Sequence, residues 1–300
     1  MVLNAEQLQS LSKTHIDALN SSQIRALTGD QIKSLAFPLS KTQITSVSPE
    51  MIESMGPFVG SSSSYLPALT SAQLLGMSEG QLSALERDGI MSLTSRQLSW
   101  FTGRELGALN DDQVIALTTS QIISFSTFQI VSLTPRQVAV METADVAALT
   151  SAQVSSLLSS QVSALETIQI VGLSTAQVPL LTTIQLASLT DSQVGAMETR
   201  DVGVLTSRQI VNMSPMLIAA FSTTQIPALS LTAFTSLQTA QLAIFTGEQM
   251  GAIAPTQLAK LSAVKLRSFV GYLGEESAIA FFAPRQTSAL TSAQLSALNS

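Results

Sequence analysis

Two pairs of acids have the spacing that chemistry would need. Glu142 precedes Asp145 and Glu198 precedes Asp201, three positions on in each case, which on a helix is one turn. Two carboxylates so placed, helped by further oxygen donors, suit a hard cation such as calcium. Glu86 and Asp88 hold a related place in a less regular copy. A dedicated calcium loop needs several Asp or Asn and a glycine for its sharp turn, and no such loop is present. The simpler reading puts the acids in a first helical turn, where the helix dipole favours them and where they take over the capping role of Thr and Gln.

Other chemistry is scarce. His15 is the single histidine and there is no cysteine, so neither a zinc site nor a histidine-dependent triad can be assembled. No phosphate-binding glycine loop and no G-x-S-x-G elbow occurs. The expectation is therefore no enzyme and no cofactor. Arg96, Arg104, Arg136, Arg200, Arg208 and Arg285 recur at one position of a repeat and form a sparse basic row. Interspersed acids and a formal charge of -6 exclude the strongly basic footprint of a nucleic-acid binder. Arg96, Arg104, Arg200 and Arg208 remain candidates for touching a protein partner, as do the aromatic residues Tyr65 and Tyr272, since Tyr and Arg are enriched where interfaces are anchored. Trp100, the only tryptophan, stands where the repeat usually has a small residue.

These residues hang on an eight-residue repeat, which has to be recognised first because it determines the architecture. From Leu93 the chain reads LTSRQLSW, FTGRELGA, LNDDQVIA, LTTSQIIS, FSTFQIVS, LTPRQVAV, METADVAA, LTSAQVSS and continues to Phe269. Slot one is Leu, Phe or Met, slot two usually Thr or Ser, slot five usually Gln, slot six Ile, Val or Leu, and slot eight usually small. Slot six and the next slot one lie three apart. A strand would send them to opposite faces, whereas a helix puts them side by side. One continuous helix fails, because eight residues are about 2.2 turns and the apolar stripe would precess by about 80° per octad. The helix must break once per repeat.

The break is written at slots two and five, where Thr or Ser followed three positions later by Gln is the capping-box pattern. His15 stands at slot five after Ser12 and reads as a substituted cap partner. Helices this short are unstable alone, so they must stack, and the chain is predicted to be all-α, a solenoid of short capped helices. A β-solenoid with eight-residue faces is the alternative. Against it stand the abundant helix formers and the lack of Gly or Asn at a fixed turn slot.

Longer periods lie above the octad. The stretch beginning at Gln137 aligns with that beginning at Gln193, as if seven octads were duplicated together. Slot-one phenylalanines recur at multiples of three octads in Phe101, Phe125, Phe221, Phe245 and Phe269. The frame slips at 36–39, across 56–66 and across 271–285. The expected organisation is N-terminal octads over 1–55, a loop or linker over 56–68, a main solenoid over 69–270, and an irregular segment with terminal repeats over 271–300. The last residues keep the full pattern without a polar capping repeat, as in a segment of a longer protein. An exposed apolar end of this kind favours end-to-end stacking or a homo-oligomer.

Only 11% of residues are charged and the mean hydropathy is +0.35, so Ser, Thr and Gln supply most of the polarity. No stretch has the length of a membrane span, and the N-terminus has neither the basic nor the apolar region of a signal peptide.

The run L-T-x-x-Q-[IV]-x-[AS], as in LTTSQIIS, LTSAQVSS and LTTIQLAS, resembles the octapeptide tracts of long bacterial proteins that often carry haem-utilisation or adhesion labels. The resemblance implies a large, exported or surface-associated protein. Haem binding fits poorly with a single imidazole. The leading functional expectation is a structural or interaction protein that presents an extended surface or spaces other modules. The alternative is an adhesin-like module that binds a host polymer or ice through regular Thr and Ser arrays.

Overall fold

The computed structural model of the chain describes residues 4–35, 39–48, 51, 66–269 and 278–298. Tyr65, Tyr272 and most of the three frame slips lie outside these residues. Within them the chain is all-α: helices of four to seven residues follow one another with short 3-10 turns between some of them, and no strand forms among the described residues. The helical solenoid is the observed architecture and the β-solenoid is not.

One octad shows why the chain breaks where it does. Ser126 has extended backbone (φ -66°, ψ 161°) and caps the helix Thr127–Ser132. Its hydroxyl accepts from the Gln129 N–H at 3.2 Å, while Gln129 Oε1 accepts the Ser126 N–H at 3.0 Å. The helix stops at Leu133, which returns to extended backbone (φ -65°, ψ 138°). Slots one and two are thus the two extended residues that turn the chain in each repeat. His15 behaves as the pattern predicts, with Nδ1 accepting the Ser12 N–H at 3.3 Å. Pro135, Pro215, Pro255 and Pro284 open helices at their first position, where a missing N–H is harmless. Pro179 and Pro227 stand at slot seven, where the missing donor shortens the helix to the 3-10 turns Val178–Leu180 and Ile226–Ala228.

The described residues form two compact units, Met1–Leu149 and Thr150–Ser300. In the first, helix Asp111–Ala116 packs against Arg87–Ser92 on one side and Pro135–Val140 on the other. In the second, Ser207–Asn212 packs against Leu231–Ser236. The partners in each pair stand three octads apart, so three octads make one turn, or rung, of the solenoid. Slots one and six line its core: Val114, Ile122, Ile210 and Phe245 are fully buried. The spacing of the phenylalanines is this turn, which aligns one octad in three into a column. Phe245 and Phe269 meet with ring centroids 6.0 Å apart.

Because the Thr118 hydroxyl caps helix Thr119–Ile123, Thr118→Ala is expected to cost about 1 kcal/mol in chemical denaturation. The Thr118 hydroxyl accepts from the Gln121 N–H at 3.3 Å and donates to Gln121 Oε1 at 3.0 Å. The loss stays small because the bond from the Thr118 N–H to Gln121 Oε1, at 2.7 Å, survives. Leu158 and Ala254 lack the hydroxyl and keep that bond to Gln161 and Gln257.

Candidate functional site

The recurring polar constellation is a ladder of glutamines. Every slot-five Gln from Gln73 to Gln257 is at most 5% exposed. In Gln121, Oε1 accepts from the backbone and hydroxyl of Thr118, and Nε2 donates to the carbonyls of Ile90 and Leu93 at 2.9 and 2.7 Å. These carbonyls belong to slot six and the following slot one of the rung below. Gln97, Gln113, Gln129 and Gln137 in the first unit repeat this offset, as do Gln185, Gln193, Gln209, Gln225, Gln241 and Gln257 in the second. All four hydrogen-bonding positions of the amide can thus be used, and carbonyls near each helix end gain donors. The frame slips change the offset and spare the partners. Gln43 reaches Ile16 and Leu19, 27 and 24 residues back, while Gln286 reaches Met250 and Ile253, 36 and 33 back. The sequence pattern assigns Gln to capping and is silent on this bond between rungs, because nothing local marks a partner in the turn below.

Three acids replace Gln at slot five, and side-chain length separates them. Glu105 reaches its cap: the N–H and hydroxyl of Thr102 donate to Oε2 at 2.8 and 2.6 Å. Burial works against its charge, yet these bonds, its own N–H and the nearby Arg104 outweigh that and hold its pKa below the ordinary value. Asp145 and Asp201 are one methylene shorter than Glu and only 1% exposed. Asp145 Oδ1 accepts from the Thr119 hydroxyl at 2.7 Å, but its Oδ2 and both oxygens of Asp201 have no hydrogen-bond partner. Burial raises both pKa values. For Asp145 the neighbouring Glu142 adds to the rise against the Thr119 bond, and for Asp201 the Arg200 charge opposes it while Glu198 adds to it. Glu142 and Glu198, at slot two, make no side-chain cap bond. The capping role expected for these acids is therefore not what the structure shows, since a short carboxylate does not reach the cap N–H. No group of three or more His, Cys, Asp or Glu able to hold a metal occurs among the described residues.

The basic row divides. Arg104 pairs with Glu79 at 3.6 Å, Arg136 with Asp111 at 2.6 Å, and Arg200 with Glu198 at 2.6 Å. Arg96 and Arg208 are exposed. They border clefts of equivalent make-up, Arg96 with Pro67, Thr70 and Trp100, Arg208 with Pro179, Thr182 and Thr206. Slot four also carries apolar residues that the basic row obscures: Phe128, Ile168, Ile184, Met216 and Val264 are 63 to 71% exposed. The signal was legible as large apolar side chains at the slot that elsewhere holds Arg.

No described helix is long and apolar enough to cross a membrane. A comparison with curated proteins finds no match. Residues 138–175 match the family model described as the ALTTAQ repeat, and that stretch of the chain is accordingly an octapeptide repeat of the L-T-x-x-Q type.

Proposed function

We propose that the chain is a non-enzymatic scaffold whose repeat frame holds outward side chains for a protein partner or spaces other modules apart. The observation that carries this reading is the division of labour within the octad. Slots one, two, five and six are occupied in building the solenoid, while slot four is exposed and varies from Arg to Phe, Ile and Met. Repeat architectures present surfaces in this way, and exposed Phe, Ile and Met suit the apolar centre of an interface.

A photo-crosslinking residue placed at Phe128, Ile184 or Met216 is expected to give a discrete adduct with one protein species. With the crosslinker at Met216, Ile184→Lys should weaken the adduct while changing stability by no more than about 0.5 kcal/mol, as exposed substitutions generally do. Adducts spread evenly over many species, or none, would remove the reading.

The adhesin-like alternative rests on slot three. Slot-two hydroxyls serve the caps, but Thr175, Thr199 and Thr223 are exposed on successive rungs of one column. If that array is the working surface, replacing these three by Val should weaken retention on a polymer or ice surface and leave slot-four adducts intact.

A further inference from the structure

We propose that Asp145 and Asp201 are acid-dependent locks between rungs: each carboxyl takes up a proton and then donates it to a backbone carbonyl of the rung below, where other rungs use the glutamine amide. The repeat register carries the inference. Val114 and Leu117 stand to Asp145, and Ile170 and Leu173 to Asp201, as Ile90 and Leu93 stand to Gln121. In that register Gln121 and the ten glutamines that repeat its offset each donate two hydrogen bonds. An ionised carboxylate has only acceptors, so it offers the rung below nothing and sets its own charge beside carbonyl oxygens. A protonated one has a single O–H, enough to replace one of the two amide donors. Asp145 keeps Oδ1 for the Thr119 hydroxyl and has Oδ2 free to carry the proton, while Asp201 has both oxygens free.

The surroundings favour the neutral form. Helix Thr119–Ile123, packed on Thr143–Ala148, carries no charged residue, helix Asp111–Ala116 of the rung below carries Asp112 and the Arg136-paired Asp111, and Glu142 on the Asp145 helix is of like sign. Around Asp201, the turn Ile226–Ala228 carries none either, nor does helix Thr167–Gly172 of the rung below, whose cap Glu166 is exposed. Arg200 is the one opposing charge. It is 3.8 Å from Asp201 Oδ2, too far for a hydrogen bond, and is engaged by Glu198 at 2.6 Å. That guanidinium also argues against a bound cation at Asp201. Glu105 is the contrast, since its longer side chain finds donors and keeps its charge.

The direction with pH follows from linkage. An acid whose folded pKa is raised binds its proton more tightly when folded, so its contribution is full below the unfolded value and is lost as pH rises through the folded one. Both rungs tighten in acid and loosen toward neutrality.

The test is hydrogen exchange on the full chain at pH 5 and pH 7.5, corrected for intrinsic rates, with and without Asp145→Asn and Asp201→Asn. In the wild type the amides of Val146 and Val202 should be severalfold better protected at pH 5 than at pH 7.5, since pH 5 lies above the unfolded carboxyl value of about 3.9 and reads only part of the linkage. Amides beside Gln129 and Gln209 serve as internal references. The Asn variants should lose this pH dependence and show acid-like protection at both values, and Asp145→Gln and Asp201→Gln, which restore the repeat residue, provide the same reading if an Asn chain fails to fold. Equal pH dependence in wild type and variants would overturn the proposal. So would protection at pH 7.5 that appears with millimolar calcium chloride and disappears with chelator, because a cation rather than a proton would then fill the gap.

Discussion

Gln209→Leu is expected to cost about 3–5 kcal/mol, far more than loss of any cap hydroxyl. The size follows from what is stranded: Gln209 accepts from the Thr206 N–H and hydroxyl at 2.9 and 3.0 Å, and donates to Val178 and Leu181 at 3.0 and 2.9 Å. Leucine fills a similar volume, so the packing change is minor. The Thr206 N–H and the Leu181 carbonyl then lose their partners, each at about 1–3 kcal/mol when buried. Val178 O suffers less, because it also accepts from the Leu181 N–H at 3.2 Å. Gln209→Glu should lie between, since Glu105 shows that a carboxylate serves the cap while giving up both donors to the rung below. Urea unfolding measures the total. Hydrogen exchange should show the loss confined to adjoining rungs, because each repeat contacts only its neighbours. A cost below about 1 kcal/mol would mean that apolar stacking alone carries the contact between rungs.

The contrast among slot-five acids shows what side-chain reach decides. Glu105, Asp145 and Asp201 occupy the same slot, and all are at most 5% exposed. One methylene lets Glu105 close the capping box and stay charged, and its absence leaves the two Asp side chains with buried oxygens to satisfy. Residue type at a slot therefore does not disclose its role. Glu142 and Glu198 read as caps in the sequence because acids are welcome in a first turn, yet a favourable field is not a hydrogen bond.

What was legible was local. Thr or Ser three positions before Gln marks a helix start through bonds closed within one turn, and observed caps of this kind run from Thr28 to Thr291. The three-position step from slot six to slot one marked the buried stripe for the same reason. The three-octad phenylalanine spacing pointed to the turn of the solenoid, although its meaning depended on how two extended residues set the corner between helices. The bond from Gln to the rung below was hidden. It joins residues 24 to 36 apart depending on the frame slip crossed, so no fixed spacing announces it. The exposed slot-four residues were visible as letters, but their exposure depended on the orientation of each helix in its rung.

Phe245→Ala is expected to cost about 3–5 kcal/mol, as truncation of a buried aromatic does. Phe245 is fully buried and its ring lies 6.0 Å from that of Phe269, which in turn lies 5.8 Å from that of Phe282. The three rings form a continuous column, so truncation leaves a gap that short capped helices above and below cannot close without giving up their glutamine bonds. Phe245→Leu should cost less, about 1–2 kcal/mol, because Leu fills slot one elsewhere in this column, at Leu173. If the column acts as a unit, Phe245→Ala and Phe269→Ala together should destabilise by less than the sum of the single changes, since the second truncation removes a ring that has already lost a neighbour. Denaturant midpoints of the single and double variants at constant m-value measure this coupling. Strict additivity would instead mean that each phenylalanine fills its own rung, and that the three-octad recurrence reflects the size of one corner of the core rather than contact between the rings.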